Sequence, residues 1–304
     1  MSGRALPCSV LILTFTVASC EGSAATSPAR PSPGPVENCR GLTGSAPSGT
    51  SPSPTIQSID LTVDGKLREY RVFRPSALDS TKPVPLVVVL HGAGFDGAGF
   101  ETVTEFDDEA TTAGFLAAYP TGCRQIWQYA GGGSKLPDLH FISKMLDRVE
   151  TNFRIDPARI FVIGFSAGAF MSYRLACDLS GRIAGIVSIG GTMFADECRP
   201  ARPVSILEMH GTDDSLVPWQ GGTTTNPVDT VIQRWRTLDG CVGSPILSQS
   251  GITKTSLWSH CAAGTTVRLD AVVGGHHSWF GAVPGEPNAN AVIWSFLSNL
   301  RLNR

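Results

Sequence analysis

Apolar and polar positions alternate over residues 56–63 and again over 67–73, and the two runs flank Asp64-Gly65. An Asp-Gly pair between alternating runs signals a hairpin, because both turn positions need positive φ, so antiparallel strands are expected to open the fold. From residue 85 the pattern changes. Residues 85–90 are continuously apolar up to the loop His91-Gly92-Ala93-Gly94, as a strand buried on both faces requires, and further strands are expected at 115–120, 159–165, 183–189 and 204–210. Helical patterns fall between them: 102–113, then a face at Ile142, Met145 or Leu146, Val149 and Phe153 with Asp138 as its expected N-cap, then 169–179. Val228, Val231, Ile232, Trp235 and Leu238 mark another helical face. Late strands are expected at 252–258 and 266–273, and a closing helix at 291–300. Strands alternating with helices predict an α/β fold, with a mostly parallel central sheet and helices on both faces, in one domain over residues 55–304.

The N-terminal stretch follows neither pattern. Arg4 precedes an apolar run at 10–17, too short to span a bilayer, and Val17-Ala18-Ser19-Cys20 has the form of a bacterial lipobox. Residues 1–19 are therefore read as a lipoprotein signal peptide, cleaved before Cys20, whose lipid would anchor the chain to the outer face of the cell membrane. Residues 20–54 are dense in Ser, Pro, Gly, Thr and Ala. They bury too little to offset their ordering entropy and read as a flexible tether.

Export permits disulfides. With Cys8 in the signal and Cys20 set aside, Cys39, Cys123, Cys177, Cys198, Cys241 and Cys261 remain. Cys177 with Cys198 and Cys241 with Cys261 each flank one local excursion, which leaves Cys39 and Cys123 as a third pair by subtraction. The net charge of -2 gives no reason to expect nucleic acid. No Cys-x-x-Cys spacing or ligand cluster points to a metal, and no cofactor is implied.

Chemistry enters at Gly164-Phe165-Ser166-Ala167-Gly168, where the 159–165 strand ends and a helix begins. Strand, Gly-x-Ser-x-Gly and helix in that order are what a nucleophile elbow needs: the glycines let strand and helix approach, and Ser166 sits on a strained turn. The Ala167 N–H at the helix start is a candidate oxyanion donor. The glycine loop after the first buried strand offers the Ala93 N–H as a second. Downstream, the loop His210-Gly211-Thr212-Asp213-Asp214 places two competing carboxylates after a strand, and Gly274-Gly275-His276-His277 follows the last one. Acid then histidine after the serine is the chain order of this hydrolase chemistry. A carboxylate holds the histidine tautomer while the histidine takes the serine proton.

Taken together, the His91 loop, residues 164–168, His210-Gly211-x-x-Asp214-x-x-Val217-Pro218 and the 275–281 loop resemble the secreted polyhydroxyalkanoate depolymerase and feruloyl esterase family of α/β-hydrolases. The resemblance covers residues 61–297. It implies the α/β-hydrolase fold, Asp214 rather than Asp213 as the acid, and His277 rather than His276 as the base. It aligns Trp127 with a tryptophan near the site, places Trp279 two residues after the base, and puts Cys177, Cys198, Cys241 and Cys261 where members carry cysteines. The chain departs from the family at Ala93, His276 and Phe280. Trp127, Trp219 and Trp279 are candidates for an aromatic acyl or polymer groove, with core packing as the alternative for each. The expected activity is a serine carboxylic ester hydrolase acting on a hydroxyalkanoate, feruloyl or short acyl ester. An acyltransferase using the same triad and an idle envelope binding protein are the rivals.

Overall fold

The computed structural model describes residues 37–39, 55–131, 136–193 and 198–302. The signal peptide, Cys20 and nearly all of the tether lie outside the described residues.

The opening hairpin is β2 (Thr55–Val63) and β3 (Lys66–Arg74), antiparallel in full register around Asp64 and Gly65, both with positive φ. The next elements are β4 (Val84–Leu90), α1 (Gly97–Thr104), α2 (Phe106–Ala113), β5 (Leu116–Pro120), α3 (Pro137–Asn152), β6 (Ile155–Phe165) and α4 (Ala167–Asp178). Then come β7 (Gly185–Ile189), β8 (Ser205–Gly211), α5 (Val228–Leu238), β9 (Ile246–Ser250), β10 (Thr253–Trp258), β11 (Val267–Val272) and α6 (Ala289–Leu297). With β1 (Glu37–Asn38), the strands form an 11-stranded sheet in the order β1-β3-β5-β4-β6-β7-β8-β11-β10-β9, and β2 pairs with β3. Its centre, from β5 to β11, is parallel, and antiparallel strands close both flanks.

The continuous apolar runs are explained by two cores, one on each side of the sheet. Leu86, Val88 and Leu90 of β4 and Ile160 and Val162 of β6 pack with α3, α4 and α5. Val87 and Val89, with Phe161 and Ile163, pack with α1, α2 and α6. Because side chains alternate across the strand, burial on both faces needs apolar residues at every position.

Four differences from the sequence reading have local causes. The single helix expected at 102–113 is two, broken at Glu105 with φ 49°, where α1 ends and fully buried Phe106 turns in against Phe115. Asp138 is not an N-cap. Leu136 holds that position, and Asp138 is buried in the first turn with a carboxyl oxygen 2.5 Å from Arg68 Nη2. Edge strand β9 was not expected, because it is exposed throughout and so carries no apolar periodicity. Finally, β1 and Cys39 fall in the stretch read as tether, yet β1 pairs in parallel with Lys66 and Leu67, and Cys39 is buried and bonded to Cys123.

The other disulfides among the described residues are Cys177–Cys198 and Cys241–Cys261, so the three pairs are those the sequence led us to expect. Among the described residues no helix is long and apolar enough to cross a membrane.

Candidate active site

Ser166 stands between β6 and α4 with φ 52° and ψ -118°, a left-handed conformation that costs a non-glycine residue about 1–3 kcal/mol. The close approach around it requires glycine. A Cβ on Gly164 would lie 2.1 Å from the Gly168 carbonyl oxygen, and one on Gly168 would lie 2.2 Å from that of Leu90. The Ser166 N–H donates to the Ile189 carbonyl, fixing the turn to β7.

The loops after β4, β8 and β11 meet here. A Cβ on Gly92 would come within 3.5 Å of the Ser166 Cβ, which places the glycine loop against the serine. Ala93 is exposed at the tip of that loop. Among the described residues neither the Ala93 nor the Ala167 backbone N–H has a hydrogen-bond partner within the chain.

Asp214 is buried, and its Oδ1 accepts from the N–H groups of Leu216 and Val217 at 2.9 and 2.8 Å. Its Oδ2 lies 2.6 Å from His277 Nδ1. Burial opposes ionisation of this carboxyl, but the His277 hydrogen bond and the Val217 N–H outweigh it and hold the pKa below the usual aspartate value. An ionised carboxylate only accepts, so Nδ1 carries a hydrogen toward Asp214, and Nε2 is the nitrogen turned away from the carboxylate. The His277 ring rests against Phe165, with centroids 4.8 Å apart, beside the serine. Gly190, at φ 58°, lines the other side; a Cβ there would sit 3.1 Å from His277 Nδ1. Asp213 and His276 are exposed and meet only through the Asp213 backbone carbonyl, 3.3 Å from His276 Nδ1.

A second buried unit stands behind Asp214, and sequence reasoning, which marked only His210 in it, did not find Tyr173 or Glu208. Tyr173 donates to Glu208 Oε2 at 2.8 Å, and Glu208 Oε1 lies 2.8 Å from His210 Nδ1. His210 Nε2 donates to the Val217 carbonyl at 2.8 Å and lies 3.6 Å from Asp214 Oδ2. Burial disfavours a charged imidazole at 210, but the Glu208 carboxylate outweighs burial and raises the pKa. The only hint in the sequence is a glutamate inside an apolar strand; nothing pairs it with Tyr173. His210, at the end of β8, thus has a structural part, with both ring nitrogens held inside the fold.

The tryptophans part ways. Trp127 is buried at 3% exposure, its Nε1 donating to the His91 carbonyl at 2.8 Å and its ring centroid 4.7 Å from that of His91. Of the two readings the sequence left for Trp127, core packing holds and groove lining does not: its one polar atom is taken by the His91 carbonyl beneath the glycine loop. Trp219 is half-buried, with Nε1 bonded to Asp229 and its ring edge-on to His210. Trp279 is half-buried and packs on Phe100. It lines a recess of about 220 Å³ with Asn290, Asn288 and Val103.

Among the described residues no group of three or more His, Cys, Asp or Glu is placed to hold a metal ion.

Residues 139–240 match the family model described as Phospholipase/Carboxylesterase, a span that holds Ser166 and Asp214. NocK of Nocardia uniformis subsp. tsuyamanensis is 31% identical over 184 residues, 58% of this chain and 53% of that protein. Feruloyl esterase B of Piromyces equi is 25% identical over 222 residues, 67% of this chain and 41% of that protein. The chain thus spans about half the length of these relatives or less. Among solved structures, an acetyl xylan esterase from Aspergillus awamori superposes with a TM-score of 0.62 at 15% identity, covering 80% of this chain and 99% of that one. These likenesses and the sheet order define the fold as that of the α/β-hydrolases.

Proposed function

We propose that the protein is a serine carboxylic ester hydrolase in which Ser166, His277 and Asp214 are the nucleophile, base and acid. The observation that carries this reading is the 2.6 Å contact between His277 Nδ1 and Asp214 Oδ2, with the imidazole packed on the residue before Ser166. With Nδ1 committed to Asp214, Nε2 accepts the Ser166 proton as Oγ adds to the ester carbonyl. The negative oxygen of the tetrahedral intermediate takes the free N–H groups of Ala93 and Ala167. His277 returns the proton to the leaving alcohol, and water then releases the acyl group from Ser166 by the same steps. One relative is named a feruloyl esterase and the superposed structure an acetyl xylan esterase, and the sequence resemblance adds hydroxyalkanoate oligomers; all are carboxylic esters of alcohols, the class this reading assigns to the site. In the cell the enzyme would be exported and held at the outer face of the membrane by lipid on Cys20, with residues 20–54 as tether.

Hydrolysis of p-nitrophenyl esters from acetate to palmitate, of methyl ferulate and of hydroxybutyrate oligomers tests the reading. Wild type is expected to turn over at least one class, and Ser166→Ala to lose on the order of 10⁶-fold in rate. Equal inertness of both proteins on every ester, together with no labelling of Ser166 by a fluorophosphonate, would overturn it.

A further inference from the structure

Ala93 makes no hydrogen bond of its own among the described residues, so the aim of its N–H is set by its neighbours. His91, two residues before it, and Gly94, the residue after it, are held by the loop that follows β5. His91 Nε2 accepts from the Gly122 N–H at 2.9 Å, and the His91 carbonyl accepts from Trp127 Nε1 at 2.8 Å. On the other side of Ala93, the Gly94 N–H donates to the Gln125 carbonyl at 2.9 Å. His91 Nδ1 then donates to the Gly92 carbonyl at 2.8 Å, so the whole imidazole is committed to this contact.

The gripping loop is itself fastened at both ends and in its middle. At its start the Thr121 carbonyl accepts from Arg68 Nη2 at 3.2 Å, and at its end the Gln128 N–H donates to Asp138 Oδ2 at 2.7 Å. Arg68 and Asp138 are paired beneath it. Between these ends Arg124 and Gln125 both have left-handed backbones, at φ 57° and 61°, a shape that persists only where the surroundings impose it. Gly122 is enclosed so closely that a Cβ would meet the Ile126 carbonyl oxygen at 2.5 Å. The covalent fastening is Cys123, bonded to Cys39, whose own N–H is tied to the Leu67 carbonyl of β3 at 2.9 Å.

We propose that the loop of residues 121–128, fastened by the Cys39–Cys123 disulfide, aims the Ala93 N–H at the reacting carbonyl, with Trp127 and His91 as positioning residues. This rests on the esterase reading of the same site. The N-terminal segment is thereby coupled to catalysis, although it lies far from the nucleophile in sequence. A donor aimed only from outside is sensitive to small displacements, because a shift of about 1 Å in a reacting group costs on the order of 10²-fold in rate.

The test uses the full chain and compares wild type, Trp127→Phe, and the double substitution Cys39→Ser with Cys123→Ser. Trp127→Phe keeps an aromatic ring at the His91 side and removes the N–H together with part of the bicyclic ring. Three readouts are taken: kcat and KM on a p-nitrophenyl ester, the rate of Ser166 phosphonylation by a fluorophosphonate, and amide hydrogen exchange at Gly94. For Trp127→Phe the expected result is a fall of about 10- to 100-fold in kcat, with KM within about twofold and phosphonylation slowed in parallel, because the lost interaction acts only in the tetrahedral state. The double variant is expected to show the same split and faster exchange at Gly94. A kcat within about twofold of wild type in both variants, or a loss in kcat matched by a rise in KM with Gly94 exchange unchanged, would overturn the proposal. If the double variant does not fold, Trp127→Phe decides alone. If wild type neither turns over an ester nor reacts with the fluorophosphonate, the esterase reading falls, and Gly94 exchange still judges the fastening: faster exchange in the variants supports it and unchanged exchange sinks it.

Discussion

His277 and Asp214 stand 63 residues apart in the chain and 2.6 Å apart in the fold, and the Cα of Gly190 closes the third side of the pair. The neighbouring Asp213 is exposed, and its Oδ1 accepts from Thr212 Oγ1 rather than from either histidine of the loop. Asp214→Asn is therefore expected to lower kcat by on the order of 10⁴, since an amide holds the wrong tautomer, whereas Asp213→Asn stays within about twofold. Steady-state kinetics on one p-nitrophenyl ester decide it, and a larger loss at Asp213 would reassign the acid.

The elbow glycines are expected to separate crowding from backbone strain. Gly164→Ala and Gly168→Ala each drive a Cβ to within about 2 Å of a backbone carbonyl, and each is expected to cost at least about 3 kcal/mol, near the upper end for an overpacked interior. Gly94→Ala meets nothing within 4 Å but forces alanine to φ 85°, which predicts a loss of about 1 kcal/mol. Urea denaturation of the three variants would show whether the order holds.

The Arg68–Asp138 pair is almost fully enclosed, at 2% and 1% side-chain exposure. Removing one partner strands a buried charge, so Asp138→Ala is expected to cost roughly 3–5 kcal/mol. Arg68→Met combined with Asp138→Leu is expected to cost less than Asp138→Ala alone, a comparison that a double-mutant cycle reads directly.

Asp239 is buried, with Oδ1 accepting from the Val204 N–H at 3.0 Å and Oδ2 lacking a partner among the described residues. Burial pushes its pKa up to about 7, against the lowering pull of the Val204 N–H and Arg202. The folded state thus holds this proton more tightly than the unfolded chain. Its favourable contribution is complete below about pH 4 and is lost as pH rises to about 7. Asp239→Asn removes the titration, so it is expected to raise the melting temperature relative to wild type more at pH 8 than at pH 4. A difference between the two proteins that does not change with pH would contradict this.

Much of the architecture was legible because it is written in short-range pattern. Runs apolar at every position announced strands buried on both faces, Asp64-Gly65 announced the hairpin, and Gly164 to Gly168 announced a turn that only glycines permit. Cys177 with Cys198 and Cys241 with Cys261 were legible for the same reason, since their separations of 21 and 20 residues make pairing local. The roles of individual polar side chains were decided only by the tertiary structure. Asp138 fits a helix cap by position, and it became the buried partner of Arg68 because β3 passes beneath α3's first turn. Trp127 has the chemistry of a groove lining, and it became a donor to His91 because the loop after β5 folds under the loop after β4. Residues 37–39 have the composition of a tether, and a disulfide to Cys123 draws them into the sheet. In each case the deciding partner is distant in sequence. Periodicity reports which face of an element is buried, whereas a hydrogen bond or disulfide across the fold depends on where two separate elements are brought together.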